Sequence, residues 1–307
     1  MTVAVEASDL SKTFGDVRAV RDVSFEVEEG EFFGFLGPNG AGKTTTIRML
    51  TGLITPNSGT AFIKGIDPQE DPIRAKMNMG IIPEFGNIYE DLTAEENLHL
   101  AGKFYGMSKK ERDERTREIL KMMKLKDRGK DILQEFSKGM KQRVNIGCAI
   151  IHEPPVLFLD EPTSGLDVQS KRLVVKIIQK MQDRGTTIFL TTHNIKEANE
   201  LCERVGIIHE GELVAIDRPE KLRKTFDKTQ SIEVSIEGKF ETNTLKNEHV
   251  NKIQKSGDKL KIFTDDVDAS VKHLVKMADD NAFNIISLKT CGPSLEEAFV
   301  RLTGDME

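Results

Sequence analysis

The amino-acid sequence predicts an α/β chain. The expected architecture is a mainly parallel core sheet with crossover helices, an antiparallel β part at the N-terminus, an inserted helical subdomain and a small α+β unit at the C-terminus. Three observations support it. Phe32–Leu36, Val156–Leu159 and Thr187–Leu190 are short and mostly apolar, as strands covered on both faces are. Lys171–Arg184, between the last two, puts Leu173, Val174, Ile177, Ile178 and Met181 on one helical face. Strand–helix–strand alternation of this kind implies parallel pairing. Leu92–Glu135 breaks the pattern, being dense in Glu, Lys and Arg with apolar residues at helical spacing.

In chain order, Val23, Phe25 and Val27 alternate with Ser24 and Glu26, the pattern of a strand with one wet face. Gly30 turns the chain into Phe32–Leu36. A Gly-rich loop and a helix over Thr44–Leu53 follow. The helical subdomain spans about 90–152, with Leu98, Ala101 and Tyr105, then Ile119, Leu120 and Met123, as its apolar stripes. Its charge run Lys109–Arg117 reads as a solvated helix face. Val205–Ile208 and Leu213–Ile216 flank Glu210-Gly211-Glu212 as a hairpin. These elements form a first domain over 1–220. Residues 221–230 read as a charged linker and 231–307 as an accessory domain. That domain has strand-like Ile232–Ile236, Leu260–Phe263 and Ile285–Leu288, helix-like Ala269–Ala278 and a last helix at Ser294–Thr303. It carries no catalytic constellation.

Composition excludes several classes. The 307 residues include 44 basic and 50 acidic ones, a net charge of −6, which disfavours nucleic acid as the main ligand. The apolar runs fall far short of the roughly 20 residues a membrane-spanning helix needs. Met1–Leu10 carries Glu6 and Asp9 and lacks the apolar segment of a signal peptide. Any membrane role is therefore expected to run through a separate partner. Cys148, Cys202 and Cys291 are scattered, with no zinc-site spacing and an odd count, so reduced, buried thiols are expected.

The first chemical signal is Gly37-Pro38-Asn39-Gly40-Ala41-Gly42-Lys43-Thr44, continuing into Thr45, which fits G-x-x-x-x-G-K-[ST]. Glycines let backbone N–H groups converge on phosphate oxygens because no side chain blocks the approach. The helix beginning near Lys43 adds the positive end of its dipole. Lys43 can reach the outer phosphates, and the Thr44 hydroxyl can ligate Mg²⁺. The context agrees, since the loop follows an apolar strand and precedes a helix. The second signal is Val156–Leu159 running into Asp160 and Glu161. Asp160 can hold Mg²⁺ against Thr44, and Glu161 is placed to polarise an attacking water as general base. His193 ends the next strand. Ligands of open α/β sheets bind outside the carboxyl ends of the strands, so His193 is assigned to sensing the γ-phosphate and orienting the water.

In this order the elements resemble the nucleotide-binding domain of the ATP-binding-cassette family. Phe136-Ser137-Lys138-Gly139-Met140-Lys141-Gln142-Arg143 is similar to the family's signature segment, usually Leu-Ser-Gly-Gly-Gln. Ser164-Gly165-Leu166-Asp167 matches the loop after the second carboxylate. Glu84, in Ile81-Ile82-Pro83-Glu84, falls where the family usually has Gln. Phe14 falls where an aromatic ring usually stacks on adenine. The resemblance covers about Val3–Glu220, and six elements agree in order. It implies a phosphate-loop NTPase cassette that hydrolyses ATP with Mg²⁺ held by Thr44, Asp160 and Glu84. It further implies head-to-tail pairing with a second copy or a homologous ATPase subunit, in which the signature segment of one copy closes over ATP held by the other and Asp167 lies in the dimer loop. Ser137 is a good helix N-cap and Gly139 permits close approach, so the helix from Lys138 to Ile151 would aim its dipole at the γ-phosphate. The implied partner is an integral membrane permease, with the chain peripheral on the inner, cytoplasmic face of the membrane.

Two departures mark a branch. Lys138 and Met140 replace the usual Gly and Gln, adding a charge near phosphate or ribose and removing an amide. Glu84 keeps an oxygen ligand but adds negative charge. With Pro83 they are similar to the branch that serves drug, antibiotic, lipid or polysaccharide exporters. The C-terminal unit, with its ending Pro293-Ser294-Leu295-Glu296-Glu297-Ala298-Phe299, resembles that branch's accessory domain, either a stabilising dimer prop or a regulatory element. Two other readings stay open. A non-transport ATPase of the same fold is opposed by the single cassette and the lack of a long heptad run. A regulatory nucleotide-binding module is opposed by retention of Glu161 and His193.

Overall fold

Strands rich in Val, Ile and Phe build the first of two compact units, Met1–Arg218 and Pro219–Glu307, in a computed structural model of the chain. The structure describes residues 2–84, 86–224, 230–237, 245, 248–257, 259–280, 283–292 and 295–303. Strands β1 (Val3–Phe14) and β2 (Val17–Glu28) form a long antiparallel hairpin. Next come β3 (Phe32–Leu36), α1 (Lys43–Leu50), β4 (Ser58–Ile63), which pairs with the free side of β1, α2 (Pro72–Met77) and β5 (Met79–Ile82). The helical insert contributes α3 (Ala94–Phe104), α4 (Lys109–Met122) and α5 (Lys138–Ala149). Then β6 (Val156–Asp160), α6 (Val168–Gln182), β7 (Thr187–Thr192), α7 (Ile195–Leu201), β8 (Arg204–His209) and β9 (Glu212–Asp217) complete the unit.

The central sheet has the order β5-β6-β7-β3-β8-β9. All its pairings are parallel except the β8–β9 hairpin. Every residue of β3, β6 and β7 is buried, as strands covered on both faces should be. Phe189 of β7 sits among the rings of Phe25, Phe33, Phe35 and Phe158, at centroid separations of 5.5–5.7 Å. This aromatic cluster joins the antiparallel sheet to the parallel one and so fixes the base of the strands whose ends carry the chemistry.

The insert is locally well specified. Thr93 with Glu96, and Ser108 with Glu111, form reciprocal capping boxes at the starts of α3 and α4. The charged run from Lys109 therefore opens with its own stop signal for the preceding loop. Helix α6 begins at Val168 rather than Lys171, because the Asp167 carboxylate accepts from the Gln169 and Ser170 N–H groups and caps it.

The second unit starts with α8 (Pro219–Lys224), which packs with α10, the last helix (Leu295–Thr303). This corrects the linker reading of 221–230. Proline sets the first turn and Leu222 is buried, so the segment is structural up to Lys224; residues 225–229 lie outside the described ones. A four-stranded antiparallel sheet follows in the order β11 (Val250–Ser256), β12 (Lys259–Thr264), β10 (Gln230–Glu237), β13 (Asn284–Cys291), with α9 (Val267–Asp279) packed on β10 and β13. Strand β11 was not expected, since only Val250 and Ile253 interrupt its polar run. Pro293 and Ser294 lie outside the described residues, and α10 begins at Leu295.

Among the described residues no helix is long and apolar enough to cross a membrane. Cys148 and Cys202 are free thiols, and Cys202 is buried. Burial pushes the Cys148 thiol up to about 12 and raises that of Cys202 as well, so neither offers a thiolate near neutral pH. The side chain of Cys291 is outside the described set.

Candidate functional site

Three strands end side by side at one edge of the parallel sheet. Leu36 of β3 pairs with Thr192 of β7, and Asp160 of β6 pairs with Thr191. The Gly37–Thr45 loop, the Asp160–Glu161 pair and His193 are thereby brought together without any long-range search by loops.

The loop's shape is imposed by contacts that exclude side chains. Gly42, which caps α1, has φ 105, and a Cβ there would lie 2.5 Å from the Ala19 carbonyl oxygen. Gly40 also has a positive φ, 83. From outside, the β8–β9 turn clamps the loop. The Gly211 N–H donates to the Ala41 carbonyl at 3.1 Å, and the Arg21 N–H donates to the Gly211 carbonyl at 2.8 Å.

Lys43 is 6% exposed. Its Nζ donates to the carbonyls of Gly37 (2.8 Å) and Pro38 (3.0 Å) and lies 3.5 Å from Glu161 Oε1. The Glu161 carboxylate is in turn 2.9 Å from His193 Nδ1. Glu161 has φ 50, a left-handed conformation that a non-glycine residue holds only where its surroundings enforce it. Its N–H donates to the Thr191 carbonyl at 3.2 Å, and its own carbonyl accepts from the Ser164 N–H at 3.1 Å. These side chains line a cavity of about 320 Å³, shared with Asn39, Thr44, Thr45, Glu84 and Ser164. A buried cation, glycine-lined amides and the N-terminal end of α1 suit a polyanion.

Asp160 is buried, and its Oδ1 accepts from Thr191 Oγ1 at 2.5 Å. The oxygen donors Thr44, Asp160 and Glu84 fit a hard divalent cation. Among the described residues no group of three His, Cys, Asp or Glu that could hold a metal occurs. Mg²⁺ favours this kind of site, with one or two carboxylates and the remaining positions filled by phosphate and water oxygens.

Other expected residues lie apart from that cavity. Phe14 is at the tip of the β1–β2 hairpin, 50% exposed, with Lys12 Nζ 5.4 Å from its ring centroid. Ser137 caps α5, its Oγ accepting from the Met140 N–H at 3.3 Å. Lys138 lines a second cavity of about 240 Å³ with Glu90, Lys141, Glu84 and Ser164. Gly139 is so close to α6 that a Cβ would lie 2.1 Å from Ser170 Oγ. Asp167 accepts from the Ser170 N–H and hydroxyl, which hold its carboxyl below the usual carboxylate range. The signature segment thus packs on the loop after Glu161 and stays out of the same chain's phosphate cavity.

Sequence reasoning missed Glu197. It is buried and accepts from Thr163 Oγ1 (2.7 Å) and Thr192 Oγ1 (2.8 Å), tying the loop after Glu161 to the end of β7. The spacing from Asn194 marks a helix start, with the Asn194 side chain accepting from the Glu197 N–H, but nothing in the pattern says that the carboxylate turns inward. Thr191 was likewise legible only as a polar strand end.

Residues 20–164 match the ABC transporter family. The linearmycin resistance ATP-binding protein LnrL of Bacillus subtilis is 36% identical over 98% of both chains. A Nod factor export ATP-binding protein I of Rhizobium meliloti is 34% identical over 99% of this chain and 89% of its own length. Among solved structures, an ATP-binding subunit of an ABC transporter aligns with a TM-score of 0.67 at 35% identity, covering 73% of this chain and 93% of that one. A dimeric ATP-binding cassette in a post-hydrolysis state with ADP and Pi aligns with a TM-score of 0.64 at 28% identity, covering 70% and 98%.

Gly42→Ala is expected to destabilise the fold by about 1–3 kcal/mol, because both the dihedral and the Ala19 carbonyl resist a methyl group. Chemical denaturation without nucleotide checks this; an unchanged midpoint would show that the loop tolerates a side chain there.

Proposed function

The chain belongs to the ATP-hydrolysing, ATP-binding subunits of ABC transporters, and from that membership we propose that it binds Mg-ATP at Gly37–Thr45, uses Glu161 as general base and powers a separate permease as an exporter. The observation that carries this reading is the contiguous chain Lys43–Glu161–His193 on the wall of the phosphate-loop cavity.

The roles follow from the contacts. Phosphate oxygens give Lys43 and the loop amides an anionic partner, which releases the Glu161 carboxylate from the ammonium. Glu161, steadied by His193, can then take a proton from an attacking water, and His193 can donate to the γ-phosphate. Thr44, Asp160 and Glu84 would hold Mg²⁺, which supplies charge neutralisation between the outer phosphates. Phe14, exposed at a hairpin tip, offers a stacking surface for adenine.

A second copy of the chain completes the site in this reading. Ser137 and Lys138 are exposed at the start of α5, away from their own cavity, and can face the ATP of a partner. A related cassette is itself dimeric. Relatives named for antibiotic resistance and for Nod factor export support an export role.

The permease contact fits a groove of about 390 Å³ between α2, β5, α3 and α5, lined by Ile73, Met77, Leu100, Phe104, Tyr89 and Asn145. Ile73 and Phe104 are 78% and 71% exposed, unusual for large apolar side chains. We assign to it a cytoplasm-facing segment of the permease, because the segment joining β5 to α3 borders both this groove and the nucleotide cavity. The chain is then peripheral on the cytoplasmic face of the membrane.

Glu161→Gln should retain ATP binding, accumulate a nucleotide-dependent dimer and reduce turnover at least about 100-fold, as loss of a general base does; undiminished steady-state hydrolysis would remove Glu161 from that role. Phe14→Ala should weaken ATP binding by about 1–3 kcal/mol, the scale of base–aromatic stacking. Calorimetry giving the parent affinity would leave Phe14 without a ligand contact. Phe104→Asp should abolish co-purification with a polytopic membrane protein while sparing the affinity for ATP, and persistent co-purification would move the docking surface elsewhere.

A further inference from the structure

The two groups placed on the attacking water come from different turns. Glu161 follows β6, and His193 follows β7. Main-chain pairing between these strands runs to Asp160 and Thr191, and the Glu161 N–H adds one further bond to the Thr191 carbonyl. Past that point one side chain spans both turns. Glu197, on α7, accepts from Thr163 Oγ1 with one carboxylate oxygen and from Thr192 Oγ1 with the other, at 2.7 and 2.8 Å. Thr163 lies two residues after Glu161, and Thr192 one before His193.

The helix itself does not require this carboxylate. Asn194 caps α7, its Oδ1 accepting from the Glu197 N–H at 3.2 Å. Glu197 is 5% exposed, and a carboxyl group taken that far out of water is costly unless each oxygen is matched. Here each oxygen has a hydroxyl, and Lys171 Nζ, from α6, lies 3.7 Å from Oε1 as a counter-charge. A carboxylate only accepts, so it fixes the direction of both bonds. The Thr192 proton is committed to Glu197, which leaves Thr192 Oγ1 a lone pair for the Asn194 N–H, at 3.0 Å. The backbone on both sides of His193 is thereby held through one hydroxyl whose orientation Glu197 sets. The His193 side chain is 51% exposed, so its placement depends on the backbone that carries it. On the other turn, Thr163 precedes Ser164, whose N–H donates to the Glu161 carbonyl at 3.1 Å and supports its left-handed conformation.

We propose that Glu197 is a positioning residue for ATP hydrolysis. By holding Thr163 and Thr192 together it sets the separation of the Glu161 carboxylate and the His193 ring, 2.9 Å in the structure, and so aims both at one water beside the γ-phosphate. Glu197 touches neither nucleotide nor water in this role. Its effect is geometric, and geometry matters steeply, since a misplacement of about 1 Å can cost on the order of 100-fold in rate. The proposal rests on the nucleotide-site reading above.

The test is steady-state ATP hydrolysis by the full chain in a cycle of Glu197→Ala and His193→Ala. Glu197→Ala should lower kcat roughly 10–100-fold, the scale of such a misplacement, and leave KM and the calorimetric affinity for ATP near the parent's. Glu197→Gln, which keeps one acceptor and the length of the side chain, should recover part of the loss. In a His193→Ala chain the separation has lost one end, so adding Glu197→Ala should cost less than about threefold more. An equal fold-loss in both backgrounds would overturn the proposal, because a structural role is indifferent to His193; so would an unchanged kcat in Glu197→Ala. Should Glu197→Ala fail to fold, Thr163→Val decides by the same cycle, since it removes one donor and keeps the side-chain shape. A loss confined to the chain that retains His193 supports the proposal, and an equal loss or none overturns it. A parent kcat in His193→Ala alone, or no Mg-ATP binding by the unmodified chain, would instead sink the nucleotide-site reading.

Discussion

The parallel pairing of β7 with β3 on one side and β6 on the other is the constraint on which the site depends. Side chains on a sheet edge are placed by register, and the register here aligns Leu36 with Thr192 and Thr191 with Asp160. A shift of one residue would turn every side chain of a strand to the opposite face. It would carry Glu161 away from Lys43 and His193 together. What fixes the register is apolar packing beneath the site, above all the ring of Phe189 held among four other phenylalanines. The chemistry at the strand ends is thus an outcome of the core, and the polar contacts at the edge refine a placement they did not create.

At that edge the charges are arranged so that each waits on another. Lys43 and Glu161 are both almost fully buried, and burying such a pair costs desolvation that their attraction does not clearly repay. The Gly37 and Pro38 carbonyls take up the remaining ammonium donors, and His193 takes up the outer side of the carboxylate. Glu161 reaches this position only through a left-handed backbone, held by main-chain hydrogen bonds to Thr191 and Ser164. The strain is local and the support is wide. Glu197 extends the support by linking Thr163, in the loop after Glu161, to Thr192 at the end of β7.

Much of this was legible before any coordinates, for physical reasons that differ by element. The strands β3, β6 and β7 were legible because total burial writes itself as an unbroken apolar run. The phosphate loop was legible because only glycine meets its dihedral and contact demands. The capping boxes of α3 and α4 are written in the sequence as Thr93 with Glu96 and Ser108 with Glu111. Strand β11 was hidden because an edge strand with one weakly apolar face carries few apolar residues. Helix α8 was hidden by its charge, since beyond Pro219 only Leu222 of its described side chains is buried. Partners such as Glu197 and Asn145 escape sequence reasoning altogether, because burial of a polar group is decided by what the tertiary structure places over it.

The departure at Lys138 shows how such placement can absorb a change that a motif alone would flag. A lysine where glycine is usual brings a long cationic side chain to the first turn of α5, where the helix dipole disfavours positive charge. The structure lays that chain over Gly165, so closely that a Cβ on Gly165 would lie 2.3 Å from Lys138 Nζ. Gly165 has φ 65 and no side chain to obstruct. The next contact along α5 is just as tight, with Gly139 set against Ser170, and Gln142 Nε2 donates to the Pro162 carbonyl at 3.0 Å. Three successive points on the start of α5 therefore touch the stretch from Pro162 to Ser170, which begins one residue after Glu161. The glycine lost at 138 is matched by one kept at 165, and the two segments form a single joint. A displacement of the helical insert that moves Lys138 must then also move the backbone leading from Glu161 to Asp167, which makes the signature segment and the loop of the proposed base one mechanical element within the same chain.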